Sequence, residues 1–329
     1  MAQESLKEID RSAKFFVAGH RGMAGSAICR ELKRRGFRNL LLRPRSGLDL
    51  MNQAAVRDFF SQERPQYVIL AAGTVGGIAA NNAMQAKFLY ENLMIEANVI
   101  HSAAETGVEK LLFLGSSCIY PKYAPQPIRE DFLLTGSLEP TNLGYTLAKL
   151  AGVKMCEFYN RQQGRRFTSC LPTNLYGPED NFHPEHSHVI AGLMRRMHQA
   201  KVEGRSEVRV WGTGAPFREV MHVDDMATAC VTLFEKYEDP ETINIGSDME
   251  YTIAEIAQLV KDTVGFSGKL VFDPSRPDGT PRKRLDNSKL RSLGWEPKIT
   301  LPEGLKATYA WALEYRALEN PSERVFALD

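Results

Sequence analysis

Blocks of apolar residues alternate with polar stretches of helical spacing along most of the chain. Residues 15–18 form a short apolar run ending at Gly19, and residues 23–35, closed by Gly36, have the spacing of a helix. Further apolar runs at 39–43, 66–72, 110–114 and 167–171 read as buried strands. Between them, residues 82–105 carry Phe88, Leu89, Leu93, Ile95, Val99 and Ile100 at helical spacing, and residues 142–161 read as another helix. Strand and helix in strict alternation predict an α/β fold with a doubly wound, Rossmann-type parallel sheet.

The texture changes after Pro172. Residues 172–188 are loop-like and rich in hydrogen-bonding groups, and a helix is expected over 189–201. Short strands at 208–211, 242–245 and 269–272 then mix with helices at 225–237, 253–264 and 301–317. The expected organisation is a leader at 1–14, a nucleotide-binding domain at 15–172, a smaller mixed α/β substrate-binding lobe at 173–320 with some segments returning to the first lobe, and a tail at 321–329.

Composition narrows the function. With 329 residues and a net charge of +1, nothing pulls the whole protein toward nucleic acid or acidic membranes. No stretch approaches 18 uninterrupted apolar residues, so no membrane span is expected. Cys29, Cys118, Cys156, Cys170 and Cys230 are scattered without a metal-binding spacing, which suits a reducing, cytoplasmic setting. His183, His186 and His188 are close in sequence, but with no nearby Cys and a proline-crowded loop no metal site is expected.

Candidate chemistry begins at Gly19-His-Arg-Gly22-Met-Ala-Gly25, between the first strand and the first helix. Glycines three apart at such a turn let the backbone approach a pyrophosphate and seat it on the helix N-terminus. At the end of the second strand, Arg43 and Arg45, with Arg21 in the loop, favour the 2′-phosphate of NADP over the ribose hydroxyl of NAD. Asp49 lies beyond the strand and is placed toward the adenine, and residues 73–77 form a second glycine-rich loop suited to lie against the cofactor.

The run at 110–114 ends in Gly115-Ser116-Ser117-Cys118, so hydroxyls and a thiol stand at a strand's carboxyl end, where open α/β sheets bind ligands. About one crossover later, Tyr145 and Lys149 point from one helical face. A lysine ammonium near the phenol is expected to lower its pKa and make it a proton donor, with Ser116 or Ser117 holding a substrate oxygen beside it. Cys118 taken by itself reads as a small buried hydrophobe.

Together, Gly19, Gly22, Gly25, Ser116, Tyr145 and Lys149 resemble the extended short-chain dehydrogenase/reductases. More narrowly, Leu112-Phe-Leu-Gly-Ser-Ser-Cys-Ile-Tyr-Pro121, Pro172-Thr-Asn-Leu-Tyr-Gly-Pro178, Asp180-Asn-Phe-His-Pro184, His222-Val-Asp-Asp225 and Pro277-Asp-Gly-Thr-Pro-Arg-Lys283 are similar to the GDP-L-fucose synthase family. That resemblance implies a homodimeric, cytosolic, NADP(H)-dependent enzyme acting on a GDP-sugar, with epimerisation at carbons 3 and 5 followed by reduction at carbon 4. It implies Cys118 as base and His188 as acid, with Tyr145 protonating the carbon-4 oxygen, Ser116 orienting it, and Lys149 holding the nicotinamide ribose. Cofactor contacts are implied for Gly19, His20, Arg21, Gly22, Met23, Ala24, Gly25, Arg45, Leu114, Gly115, Ser116, Ser117, Lys149, Pro172, Thr173, Asn174, Leu175 and His188. Substrate contacts are implied for Val189, Arg196, Trp211, Arg218, Lys269, Asp278 and Lys283. A related dehydratase would carry Thr-Asp-Glu where this chain has Ser116-Ser117-Cys118, and a non-catalytic NADP sensor would not need the intact Tyr145 and Lys149.

Overall fold

The structure is a computed structural model that describes residues 9–276 and 278–319. Most of the expected leader, Pro277 and the expected tail lie outside the described residues. Residues 9–14 pack beside the first strand, with Ile9 and Ala13 buried in the core that also holds Phe15 and Val17, and the Asp10 amide donating to the Tyr67 hydroxyl at 3.1 Å.

In chain order the elements are β1 (Phe15–Ala18), α1 (Met23–Arg34), β2 (Leu40–Leu41), α2 (Gln53–Glu63), β3 (Tyr67–Leu70), α3 (Ile78–Ala83), α4 (Gln85–Glu105), β4 (Lys110–Leu114), α5 (Leu143–Gln163), β5 (Arg166–Pro172) and β6 (Asn174–Tyr176). They continue as α6 (Val189–Val202), β7 (Glu207–Trp211), β8 (Phe217–His222), α7 (Val223–Lys236), β9 (Ile243–Ile245), β10 (Glu250–Thr252), α8 (Ile253–Val264), β11 (Lys269–Asp273), α9 (Ser288–Ser292) and α10 (Leu301–Glu314).

A six-stranded sheet runs β2-β1-β3-β4-β5-β9, and every neighbouring pair is parallel. Successive side chains on a strand point to opposite faces, so Phe15 and Val17 enter one core with α1 and α7. Phe16 and Ala18 enter the other, with α2, α4 and α5. Each fully buried Phe contributes about 2–3 kcal/mol, and Phe15 adds ring contacts to Phe37, Tyr67 and Phe234. The sheet is therefore wound on both sides, as the alternation of elements predicts.

Some expected boundaries move. The helix expected over 82–105 is two helices, interrupted at Met84 (φ −126°, ψ 38°), while the Asn81 amide holds the Gly76 and Gly77 carbonyls. The strand expected over 39–43 shrinks to an edge pair because Arg43 turns to Glu63. Residues 174–176, expected to be loop, pair with β8 in a second sheet of order β10-β8-β6, and β11 pairs with β7 in a third. These two sheets, α6, α8 and α10 share a third core around Ile190, Met194, Val220, Ile256 and Leu305. The run expected at 242–245 returns to the first sheet as its last strand.

Candidate active site

The carboxyl ends of β1, β3, β4 and β5 face one edge of the parallel sheet, and the chemistry-bearing residues gather there. Gly19 sits at φ +85°, and a side chain on it would strike the Ala72 backbone at 2.6 Å. One on Gly25 would meet the Gly19 carbonyl at 2.1 Å, so both glycines are needed to fold the loop. Gly22 differs: a Cβ there would meet nothing closer than 3.6 Å. It is the N-cap of α1, a helix with no side-chain cap and no acidic residue in its first turn. Its bare backbone amides and open approach fit a dinucleotide pyrophosphate.

The cations expected to choose NADP fare differently. Arg43 lies in an ion pair with Glu63 at 2.7 Å and over the Phe59 ring, which commits it to the fold. Arg45 is half exposed, with loose 3.9 Å approaches to Asp49 and to the Met51 sulfur, so it can turn to a phosphate. Asp49 also accepts the Met51 amide, which closes its own turn. His20 has a buried, unpartnered Nδ1, and burial and then Arg21 lower its pKa. Leu114, Ser117 and Thr173 are buried, which leaves mainly their backbone to face a cofactor.

Ser116 caps the short 3-10 turn Ser117–Ile119, its hydroxyl accepting the Cys118 amide at 3.1 Å. Helix α5 is docked on this turn. Thr146 donates to the Cys118 carbonyl, and Lys149 donates to the Leu114 carbonyl at 3.1 Å. Tyr145 is thereby brought within hydrogen-bonding reach of Ser116. The sequence expectation for its pKa is overturned. Burial pushes the phenol up, the charges of Cys118 and Glu96 push it further, and the hydrogen bond with Ser116 offsets only part of this.

Burial is the main reason Lys149 fails to lower it, and Glu96, which pairs with Lys149 and adds its own negative charge, reinforces it; the sequence reading missed this residue. Its carboxylate on α4 is 1% exposed and pairs with Lys149 Nζ at 3.1 Å, while that nitrogen stands 5.9 Å from the centre of the Tyr145 ring. Burial raises the Glu96 pKa and Lys149 pulls it partly back. Gly152 makes room for the pair, since a side chain there would come within 2.7 Å of Glu96. Beside it, buried Asn92 bonds Thr74 through both amide atoms, fixing the second glycine loop over Lys149.

Cys118 is the one cysteine of the five that is not buried. Its Sγ accepts from Lys283 Nζ at 3.2 Å. Desolvation would raise its pKa, but the Lys283 charge, hydrogen bonds with Ser116 and Lys283, and the Arg218 charge outweigh it and hold the thiol below its ordinary value. Lys283 arrives on a pinned segment. Leu285 donates its amide to Glu219 Oε2 at 2.9 Å, Arg284 donates to Gln126, and Ile128 brackets both residues through Arg284 and Asp286. Glu219, fully buried on β8, also accepts the Ser247 and Asp248 amides, and its own carbonyl accepts from Thr173 and Asn174. One residue thus ties together the loops after β5 and β9 and the Lys283 segment.

His188 caps α6, and its loop reaches the glycine loop after β3, where the Gly77 amide donates to the His186 carbonyl at 3.0 Å. His188 opens to solvent, yet the surrounding protein desolvates its charged form and lowers its pKa. His183 and His186 stack at 4.4 Å, and among the described residues no group of three metal-ligating side chains forms.

The implied substrate residues do not all converge. Arg218 donates to the Thr280 and Asp278 carbonyls, and its charge reaches Cys118. Val189 stands exposed at the start of α6. Arg196 donates to the Gly192 and Arg209 carbonyls, beside β7. Trp211 is 55% exposed, with Arg276 over its ring. Both Asp278 oxygens are taken by Thr213, so this residue shapes the turn after β7. Lys269 is set apart: it pairs with Glu207, at the opposite end of β7 from Trp211, about 13 Å away along the strand.

The site couples a Ser116–Tyr145 proton donor to a cation-stabilised thiol at one sheet edge. Residues 15–246 match the family model described as the NAD dependent epimerase/dehydratase family. The chain is 62% identical over 305 residues to GDP-L-fucose synthase 1 of Arabidopsis thaliana, spanning 93% of this chain and 94% of that protein. It is 53% identical to GDP-L-fucose synthase of Escherichia coli (strain K12), spanning 92% and 97%. Among solved structures, a GDP-L-fucose synthetase from Naegleria fowleri bound to NADP superposes with a TM-score of 0.88 at 29% identity, over 95% of this chain and 96% of that one.

Proposed function

The chain belongs to the GDP-L-fucose synthases of the NAD dependent epimerase/dehydratase family, and on that premise we propose how its residues divide the reaction. The activity is NADPH-dependent conversion of GDP-4-keto-6-deoxy-D-mannose to GDP-L-fucose, by epimerisation at carbons 3 and 5 and then reduction at carbon 4.

Protons on carbons 3 and 5 are acidic because they lie beside the carbon-4 ketone. Cys118, as thiolate, removes them in turn, and His188 returns a proton to the opposite face. Ser116 holds the ketone oxygen next to Tyr145, which supplies the proton that oxygen needs as it becomes a hydroxyl. A raised pKa keeps Tyr145 in its donor form across neutral pH. Bound NADPH supplies the hydride to carbon 4. The Gly19–Gly25 loop, Arg45, the backbone of residues 114–117 and 172–175, His188 and Lys149 hold that cofactor. Arg218 and Arg196 take the diphosphate, Trp211 stacks on the base, and Val189 lines the approach. Lys283, beside the thiol, is the further cation available to the nucleotide sugar, Asp278 shapes the turn after β7, and Lys269 is left out.

One observation carries this division: the Ser116 hydroxyl that accepts the Cys118 amide lies within reach of the Tyr145 phenol, so the thiol can act on the carbons flanking a ketone whose oxygen Tyr145 protonates. Mixing the protein with NADPH and GDP-4-keto-6-deoxymannose is expected to oxidise the nicotinamide and yield GDP-L-fucose by chromatography. Unchanged absorbance with intact starting sugar would defeat the reading.

The two-lobe division near residue 172 belongs to the same proposal, with the cofactor on the first lobe and the nucleotide sugar on the second. So does a cytoplasmic homodimer. Tyr90, Leu147 and Phe158 are exposed on α4 and α5, suited to a two-fold four-helix contact, and the five free cysteines suit a reducing compartment. A monomeric mass at micromolar concentration would count against the dimer.

A further inference from the structure

Lys283 is a lysine whose partner is a thiol. The other cations on the pocket wall around Cys118 are already matched, Lys122 with Glu139 at 3.0 Å and Arg282 with Glu250 at 2.6 Å. Among the described residues Lys283 pairs with no carboxylate, and its Nζ points to Cys118 Sγ at 3.2 Å across 165 residues of chain. Its backbone is fixed on both sides, by Pro281 accepting the Phe217 amide and by Glu219 accepting the Leu285 amide. A lysine needed only for a diphosphate has no cause to be aimed at sulfur.

Resting on the reading of Cys118 as the proton-abstracting base, we propose that Lys283 is a positioning residue for epimerisation: its ammonium holds Cys118 as a thiolate before substrate arrives. Proton removal then leaves the substrate as an enolate and Cys118 as a thiol, while Lys283 keeps its own proton and its charge. The groups facing the sulfur are few. Lys283 and Arg218 approach as cations, Ser116 and Tyr145 face it from its own turn and from α5, and Glu139 stands on the pocket wall tied to Lys122. Glu96 lies behind Lys149, and His188 is the remaining titratable group of the site.

The test needs no sugar. Alkylation of the full-length enzyme by iodoacetamide, followed as the mass of the Cys118 peptide from pH 5 to 10, reads the thiolate directly, with Cys118→Ser as the background. The wild-type midpoint is expected below the ordinary thiol value of about 8.5. Lys283→Met and Lys283→Gln are expected to raise it by about one unit, slowing alkylation at pH 7 about tenfold, while Lys283→Arg keeps it low. A wild-type midpoint at or above the ordinary value overturns the proposal whether or not the variants fold. An unchanged midpoint in folded Lys283→Met overturns it too, leaving Lys283 as a phosphate ligand that moves only KM. Failure of NADPH oxidation would count against the synthase reading without moving this midpoint.

Discussion

The two halves of the site place a lysine beside a proton-transfer group and reach opposite results. On the reductive side, Lys149 is matched by the buried Glu96, and the neighbouring phenol of Tyr145 is pushed up. On the epimerising side, Lys283 has no carboxylate among the described residues, and the neighbouring thiol of Cys118 is pulled down. Proximity of a cation alone therefore does not set the pKa of its neighbour; the neighbour's desolvation and the charges around it, the cation's own partner among them, decide the direction. The first arrangement keeps a donor protonated, and the second keeps a base ready.

Exchanging single groups should separate the halves. Cys118→Ser is expected to cut solvent deuterium incorporation at carbons 3 and 5 by about 10²–10⁴-fold while NADPH still binds, and Tyr145→Phe to cut nicotinamide oxidation comparably while deuterium still enters. Loss of both signals in either variant would mean that the halves are not separable. Next in size, Glu96→Ala leaves a buried lysine without its partner and is expected to cost about 3–5 kcal/mol in urea unfolding. The milder Glu96→Gln removes a negative charge that raises Tyr145, so the alkaline limb of reduction should move to lower pH while the Cys118 alkylation midpoint stays put.

Asp180 examines the same rule with no cation at all. It is buried with one oxygen unpartnered, and burial pushes its pKa from 3.8 to about 7. A carboxyl raised on folding destabilises the native state as pH climbs from its unfolded value through its folded one. Asp180→Asn should therefore stabilise the protein at pH 8, by at most roughly 4 kcal/mol, and do nothing near pH 3.5. An unaltered pH-stability curve would show that Asp180 does not titrate this way. The smallest effect concerns the coenzyme: Arg45→Ala is expected to raise KM for NADPH about tenfold and leave NADH unaffected, a difference of about 1.4 kcal/mol.

Local signals carried the sheet and the cofactor loop. The spacing of Gly19, Gly22 and Gly25 and the strand-end position of Ser116 are readable because each depends on neighbours a few residues away. Glu96 was readable in principle, since Asn92 and Glu96 place polar groups on the buried face of an otherwise apolar helix beside Phe88 and Val99. The desolvation of Tyr145, reinforced by the charges of Cys118 and Glu96, reversed the direction expected for it. Arg43 looked like a phosphate ligand because Glu63, a helix away, is its partner only in three dimensions. The meeting of Lys283 with Cys118 has no local signature, and neither does β8, where the buried Glu219 interrupts the apolar pattern that would announce a strand.

Glu219 also bears on how such an enzyme could be re-engineered. Its carboxylate and carbonyl receive groups from residues 173–174, 247–248 and 285. A transplant of residues 279–286 into another scaffold would deliver the lysine but not its aim, unless a matching acid came with it. A screen that varied only the positions around Cys118 would never sample that acid, because it is fully buried and lies outside the wall of that pocket. The unit of heredity for this thiol's reactivity is a knot of backbone amides around one hidden carboxylate, and a catalytic loop cut away from it would be an incomplete part.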